Sequence, residues 1–184
     1  DAIAGGTGDD QLFGGAGADQ IAGDAGDDYI VGGIGADAID GGTGTDEIDY
    51  STDAAAGGDA GVTVDLAAGT ATDGFGAQDQ LTNIENITGT DQTDQLTGSN
   101  AANVIQGNAG DDVIAGLGGA DTIDGGTGTD EIDYSRGSAA GGDAGVTVDL
   151  AAGTATDGFG SQDQLTNIEN ITGTNQTDQL TGSD

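Results

Sequence analysis

Residues 5–49 decide the fold: GGTGDDQLF (5–13), GGAGADQIA (14–22), GDAGDDYIV (23–31), GGIGADAID (32–40) and GGTGTDEID (41–49) follow one another in an unbroken nine-residue frame. Position six is Asp in every row (Asp10, Asp19, Asp28, Asp37, Asp46), and position eight is aliphatic (Leu12, Ile21, Ile30, Ile39, Ile48). One aliphatic every nine residues suits neither an amphipathic helix nor an ordinary hairpin. It suits a solenoid in which each row is a Gly-rich turn followed by a very short strand. Stacking such strands aligns the aliphatics into a ladder.

The frame returns at Gly89 with GTDQTDQLT, GSNAANVIQ, GNAGDDVIA, GLGGADTID and GGTGTDEID, ending at Asp133. Here Asp94, Asp112, Asp121 and Asp130 hold position six, with Asn103 the exception, and Leu96, Ile105, Ile114, Ile123 and Ile132 hold position eight. The organisation is therefore a first nonapeptide block (1–49), an interruption (50–88), a second block (89–133), a second copy of the interruption (134–172) and the start of a third block (173–184). Residues 1–4 fit the tail of a preceding row, so the reading expected is a window on a longer array. A second period supports this: residues 42–99 recur 84 positions later as 126–183 with five changes, at 52/136, 53/137, 54/138, 77/161 and 91/175.

Composition sets the energetic problem. The chain carries 34 acidic residues against one basic residue, Arg136, for a net charge of −33. It has 39 Gly, three Tyr, three Phe and no Pro, Cys, Met, Trp or His. Such a chain repels itself and offers little apolar surface to offset conformational entropy. Multivalent cations are the obvious further source of folding energy. A single Arg without Lys makes no phosphate-binding surface, which excludes nucleic acid and disfavours anionic membranes. No apolar run reaches the roughly 18 residues that insertion into a bilayer requires. Without Cys there is neither a disulfide framework nor a thiolate metal site.

Glycines at positions one, two and four permit positive φ and leave backbone carbonyls unshielded. The Asp at position six adds a carboxylate two residues further on. These are hard oxygen donors with no nitrogen or sulfur among them, which favours Ca²⁺ over zinc or copper, and over Mg²⁺ with its tight octahedron. The bland alternative, solvated Asx turns, explains a lone Gly-x-Asp better than five successive rows. Without cations, carboxylates stacked about 4.8 Å apart repel one another.

These rows resemble the repeats-in-toxin (RTX) nonapeptide, Gly-Gly-x-Gly-x-Asp-x-aliphatic-x. GGTGDDQLF, GGAGADQIA and GGTGTDEID are full matches, and the resemblance covers about half the chain. It implies an all-β fold, a parallel β-roll or calcium-bound right-handed β-solenoid, with two rows per coil and several Ca²⁺ ions per chain. Each ion is expected between the turns of rows n and n+2. On this resemblance Asp10, Asp28 and Asp46 line one edge and Asp19 and Asp37 the other, with Asp112 and Asp130 the best pair of the second block. Asp121 is retained, and carbonyls of Gly6, Gly8, Gly15, Gly17, Gly26, Gly33, Gly35, Gly42, Gly44, Gly110, Gly119, Gly126 and Gly128 are expected to complete the shells. GTDQTDQLT and GSNAANVIQ lack the second and fourth glycines, so they are expected to continue the coil but to bind calcium weakly or not at all. Asp24 and Asn108 replace a second Gly, and Leu117-Gly118 shifts the pattern, while position six stays acidic in these rows.

Each interruption is 39 residues long, not a multiple of nine. Gly61–Leu66 alternates like a strand, and Leu81, Ile84 and Ile87 recur every third residue, as at solenoid corners. GFGAQDQLT (74–82) keeps Gly, Asp and Leu at positions one, six and eight and reads as a degenerate row. The expectation is a coil that continues with wider rungs. The alternative is a separate ligand site, in which Asp59, Asp65, Asp73, Asp79 and Glu85 are the acidic groups able to bind further ions, with no spacing argument to select among them.

Without His, Cys or Lys, only carboxylates and hydroxyls remain for catalysis, and regular repetition disperses them along a rod. The segment is therefore read as non-enzymatic. Ice binding would want a flat Thr ladder, whereas Thr7, Thr43 and Thr127 occupy position three in only some rows. The expected function is a structural, calcium-folded segment of a secreted bacterial RTX protein, such as an adhesin, surface-layer or filament rod. The alternative is an accessory module of an extracellular RTX enzyme or toxin. The resemblance further implies export by type I secretion, extracellular or cell-surface location, and calcium as partner. End-to-end or lateral association with other copies stays open.

Overall fold

A computed structural model describes residues 1–183. The first block forms β1 (Ala2–Thr7), β2 (Gln11–Ala16), β3 (Gln20–Ala25), β4 (Tyr29–Ile34), β5 (Ala38–Asp40) and β6 (Glu47–Asp49). Each row supplies one strand, and alternate strands pair in parallel: β1 with β3 and β3 with β5, β2 with β4 and β4 with β6. One coil is therefore two rows, and position eight stacks on position eight, as in Ile21↔Ile39 and Leu12↔Ile30. The glycine turns make this possible, since each reverses the chain within a few residues and delivers the next strand to the opposite sheet.

The second block repeats the arrangement with β11 (Gln95–Thr97), β12 (Val104–Gln106), β13 (Val113–Ala115), β14 (Thr122–Asp124) and β15 (Glu131–Asp133). The rows GTDQTDQLT and GSNAANVIQ supply β11 and β12 in register, so they do continue the coil. The result is two ten-stranded sheets facing each other across one core. The core is thin and linear: Ile30, Ile48, Ile105, Ile114 and Ile132 are completely buried, and the same column runs through both blocks. Each such side chain contributes about 1.5–3 kcal/mol on burial, which is modest against the ordering of nine residues per row.

The interruptions depart from simple wider rungs. The first begins with a short helix α1 (Asp53–Ala56), ended by Gly57 at φ 105°. It continues as β7 (Thr63–Asp65), β8 (Thr70–Thr72) and β9 (Gln78–Thr82), and closes with β10 (Asn86–Thr88). Strand β7 pairs in parallel with β11 ahead of it, β8 runs back antiparallel, and β9 pairs in parallel with β5 behind it. The chain thus jumps forward along the sheet and fills the gap by doubling back. Antiparallel neighbours need only tight turns, and these are supplied at Leu66–Gly69 and at residues 73–77, where Gly69 and Gly76 donate to the carbonyls of Leu66 and Asp73.

Three rows are hidden in this segment. Leu81 stacks on Ile39, so residues 74–82 are indeed a degenerate row. Ile87 stacks on Ile48 with Glu85 at position six, and Val64 stacks on Leu96 with Val62 at position six. The second interruption reproduces the pattern with α2 (Gly137–Ala140), β16 (Thr147–Asp149), β17 (Thr154–Thr156), β18 (Gln162–Thr166) and β19 (Asn170–Thr172), and β20 (Gln179–Thr181) opens the third block. Its three-stranded excursion, however, enters the other sheet. The sheet orders are β1-β3-β5-β9-β8-β7-β11-β13-β15-β19 and β2-β4-β6-β10-β12-β14-β18-β17-β16-β20.

Candidate metal centre

Along each edge of the roll the position-six side chains form a hydrogen-bonded ladder. The backbone N–H of Asp10 donates to Oδ1 of Asp28 (2.8 Å), and that of Asp28 donates to Oδ1 of Asp46 (2.8 Å). On the other edge Asp19 donates to Asp37 (2.9 Å), and Asp37 donates to Asp79 of the degenerate row (2.9 Å). In the second block Asp94 donates to Asp112 (2.8 Å), Asp112 to Asp130 (2.9 Å), and Asn103 to Asp121 (2.9 Å). Glu85 and Glu169 take the next rungs, accepting from Asp46 and Asp130. Asp10, Asp28 and Asp46 share one ladder and Asp19 and Asp37 the other, while Glu85 and Glu169 are rungs that the nonapeptide pattern does not single out. The signal was available: each sits two residues before an isoleucine that stacks in the core.

Beyond Asp10, which begins its ladder, one oxygen of each of these carboxylates is spent on the ladder. The other, Oδ2, is buried without a hydrogen-bond partner in Asp10, Asp19, Asp28, Asp37, Asp46, Asp112, Asp121 and Asp130. A buried carboxylate oxygen left unpaired is costly, so eight of them in register call for a cation. They sit against glycine at position one. A Cβ on Gly23 would lie 2.3 Å from Oδ2 of Asp28 and 2.3 Å from the carbonyl oxygen of Gly41, one coil on. Gly14, Gly41, Gly107 and Gly125 meet the same pair of a carboxylate and a next-coil carbonyl. Carboxylate and carbonyl oxygens therefore converge beside each turn.

The glycines at positions two and four build the outer wall. Gly6, Gly8, Gly15, Gly17, Gly26, Gly33, Gly35, Gly42, Gly44, Gly110, Gly119, Gly126 and Gly128 all have positive φ. The carbonyl of Gly8 presses on Gly26 and that of Gly26 on Gly44, at 2.3 and 2.0 Å from where a Cβ would stand. Columns of carbonyl oxygens thus run along both edges. Asp24, Asn108 and Leu117 hold the same left-handed conformation at φ 71–73°, so these departures keep the turn. Among the described residues no three acidic side chains gather closely enough to hold an ion by themselves. Any cation here must draw on two carboxylates and the carbonyl columns, a hard all-oxygen set that fits Ca²⁺.

A second group of position-six side chains is satisfied by the protein itself. In GTDQTDQLT, Thr90 stands where position two is otherwise Gly. Its N–H and hydroxyl donate to Asp94 at 2.7 and 2.8 Å, and Val62 N–H donates at 2.7 Å. Thr174 caps Asp178 in the same way, and Ser99 N–H caps Asn103 at 2.7 Å. Tyr50 and Tyr134 donate their hydroxyls to Oδ2 of Asp79 and Asp163 at 3.0 and 2.9 Å. Open and capped carboxylates are therefore distinct: Thr or Ser at position two marks the threonine- and serine-capped side chains, whereas Asp24, Asn108 and Leu117 at that position leave the carboxylate open.

Burial, with neighbouring like charges, raises the carboxyl groups of Asp37, Asp46, Asp94 and Asp130. Asp112 and Asp121 are pushed up to about 7, chiefly by desolvation. Asp79 rises to about 7 and Asp163 to about 6 for the same reason, although their ladder and tyrosine hydrogen bonds oppose the shift. The one Arg, Arg136, reaches Asp133 at the surface, so it neutralises none of these groups.

A parallel two-row coil with open carboxylates along both edges defines a β-roll of the nonapeptide type. The family model for the RTX calcium-binding nonapeptide repeat matches in four copies, at residues 1–30, 14–48, 88–123 and 107–138. Together these segments span more than half of the chain, and the chain belongs to this family. Among solved structures, the extracellular lipase LipA from Serratia marcescens is similar over 68% of this chain and 27% of its own length, with 21% identity and a TM-score of 0.34. No curated protein matches the chain. No helix is long and apolar enough to cross a membrane among the described residues.

Proposed function

We propose that this chain is a calcium-folded structural segment of a secreted RTX protein, a rod of an adhesin, surface-layer protein or filament, and not itself an enzyme. The observation that carries the reading is the row of buried, unpartnered Oδ2 atoms on the position-six aspartates. Calcium held by these oxygens and the glycine carbonyls neutralises the charge that otherwise opposes the fold. Binding and folding are then one event, because the unfolded chain has no preformed site. Extracellular calcium modules bind at about 10⁻⁴–10⁻³ M, so the same chain stays unfolded in a low-calcium cytosol and folds after export. A rod is favoured over a compact accessory because the 84-residue repeat is nearly identical in its two copies and extends the roll without gathering a cleft.

The test is far-UV circular dichroism during a calcium titration, with magnesium as control. A cooperative coil-to-β transition near millimolar calcium, absent with magnesium, is the expected result. A stable β spectrum in chelator overturns the reading.

A further inference from the structure

Asp73 and Asp157 lie in the interruptions, outside every matched nonapeptide, yet they carry the same mark as the open ladder carboxylates. Each is 1% exposed, and the Oδ2 of each is buried without a partner. Their Oδ1 atoms are occupied: Asp73 accepts from the N–H groups of Phe75 (3.0 Å) and Ala77 (2.6 Å), and Asp157 from those of Phe159 (2.9 Å) and Ser161 (2.7 Å). The turn thus fixes the carboxylate and leaves one oxygen free in the interior.

That oxygen belongs to a place where the ladder has lost a donor. Over Gly14 and Gly23 the next coil contributes a position-one carbonyl, from Gly32 and Gly41. Over Gly32 the corresponding residue is Gly74, whose carbonyl instead accepts from Ala60 N–H (3.4 Å). The three atoms nearest a Cβ on Gly32 then belong to Asp37 and Ile39, and the three nearest one on Gly116 all belong to Asp121, with no next-coil carbonyl among them. Asp73 immediately precedes Gly74, and its charge acts on Asp37, Asp53, Asp79 and Tyr50. In the second copy Asp157 acts on Asp121, Asp163 and Tyr134 in the same way. Asp37 and Asp121 have unpartnered Oδ2 atoms of their own. So a repeat aspartate and an interruption aspartate, each with one free buried oxygen, share a neighbourhood that the one Arg does not reach.

We propose that each interruption carries its own divalent-cation site, in which Asp73 with Asp37, and Asp157 with Asp121, hold a calcium ion, the interruption carboxylate replacing the carbonyl that a regular row supplies. The inference rests on the calcium reading of the regular rows and extends it to residues that the nonapeptide does not include. Asp53 is not required, since Gly137 stands in its place in the second copy.

Equilibrium dialysis of the full chain against radioactive calcium at neutral pH counts the ions directly. The double variant Asp73→Asn, Asp157→Asn is expected to bind two ions fewer than the parent and to keep the others. An unchanged count overturns the inference while leaving the regular sites intact. A parent chain that binds no calcium at all overturns both readings. Should the variant fail to fold, crystals of the parent grown with a lanthanide decide the matter. An anomalous peak shared by Asp37 and Asp73 is expected, and peaks confined to the regular rows overturn the inference.

Discussion

Glycine at position one is required by space, whereas at position four it is required by torsion and, beyond the first coil, also by the carbonyl of the preceding coil. Gly23 has ordinary backbone angles, but a Cβ there would meet Oδ2 of Asp28 and the carbonyl of Gly41 at 2.3 Å. Gly8 has φ +99° with nothing within 4 Å. Gly8→Ala is therefore expected to cost about 1–2 kcal/mol from the left-handed backbone alone and to keep the full ion count. Gly23→Ala is expected to cost about 1–3 kcal/mol by overpacking and also to lose calcium, because the methyl enters the space between two ligand oxygens. Equal ion counts for the two variants, measured by calorimetric titration, would remove the space argument. The aspartates set a pH dependence at the same scale. Asp79, Asp112 and Asp121 titrate near 7 in the folded chain, against about 3.9 for an ordinary Asp. Between these values the folded state binds more protons than the unfolded state, so without cations stability is present below about pH 4 and is lost as the pH rises through 7. In chelator, β content should increase on acidification from about pH 7.5 to about pH 5. In calcium, the midpoint concentration should rise over the same interval as protons compete, and circular dichroism follows both.

Among the elements, the nonapeptide strands were legible because each carries its own signature, an Asp two residues before an aliphatic. Asp79 with Leu81 kept that signature and was read correctly as a degenerate row. Glu85 with Ile87 kept a weaker one and was missed as a rung. Strand β8 has no signature at all: only Ala71 of Thr70–Thr72 faces the core. Its direction depends on a forward jump that pairs β7 with β11, a partner more than thirty residues away, and local pattern does not encode such a choice. The tyrosines were likewise silent in the sequence. Tyr50 is 1% exposed and ties the start of the first interruption to Asp79 at its far end. Tyr50→Phe leaves Oδ2 of Asp79 buried without its donor, which should destabilise the calcium-bound fold by about 1–3 kcal/mol. Urea unfolding in saturating calcium measures this, and an unchanged midpoint would mean that another donor replaces the hydroxyl.

For the whole molecule, two kinds of charge oppose folding, and salt separates them. Exposed acidic groups are screened by added electrolyte, whereas the buried ladder oxygens need a ligand. Sodium chloride at about 1 M, where the screening length is about 3 Å, is expected to leave the chain unfolded in chelator. A β spectrum in salt alone would locate the calcium requirement at the surface instead. The exchange of sheets between the two interruptions has a different consequence. Strands β7, β8 and β9 lie in one sheet, while their counterparts β16, β17 and β18 lie in the other. The unit that repeats in sequence is thus half the unit that repeats in space, and successive copies are related by a turn to the opposite side. Extra strands widen first one face and then the other, so the wedges they introduce cancel in pairs. A partner that approaches such a roll from one side would meet the same excursion only at every second copy.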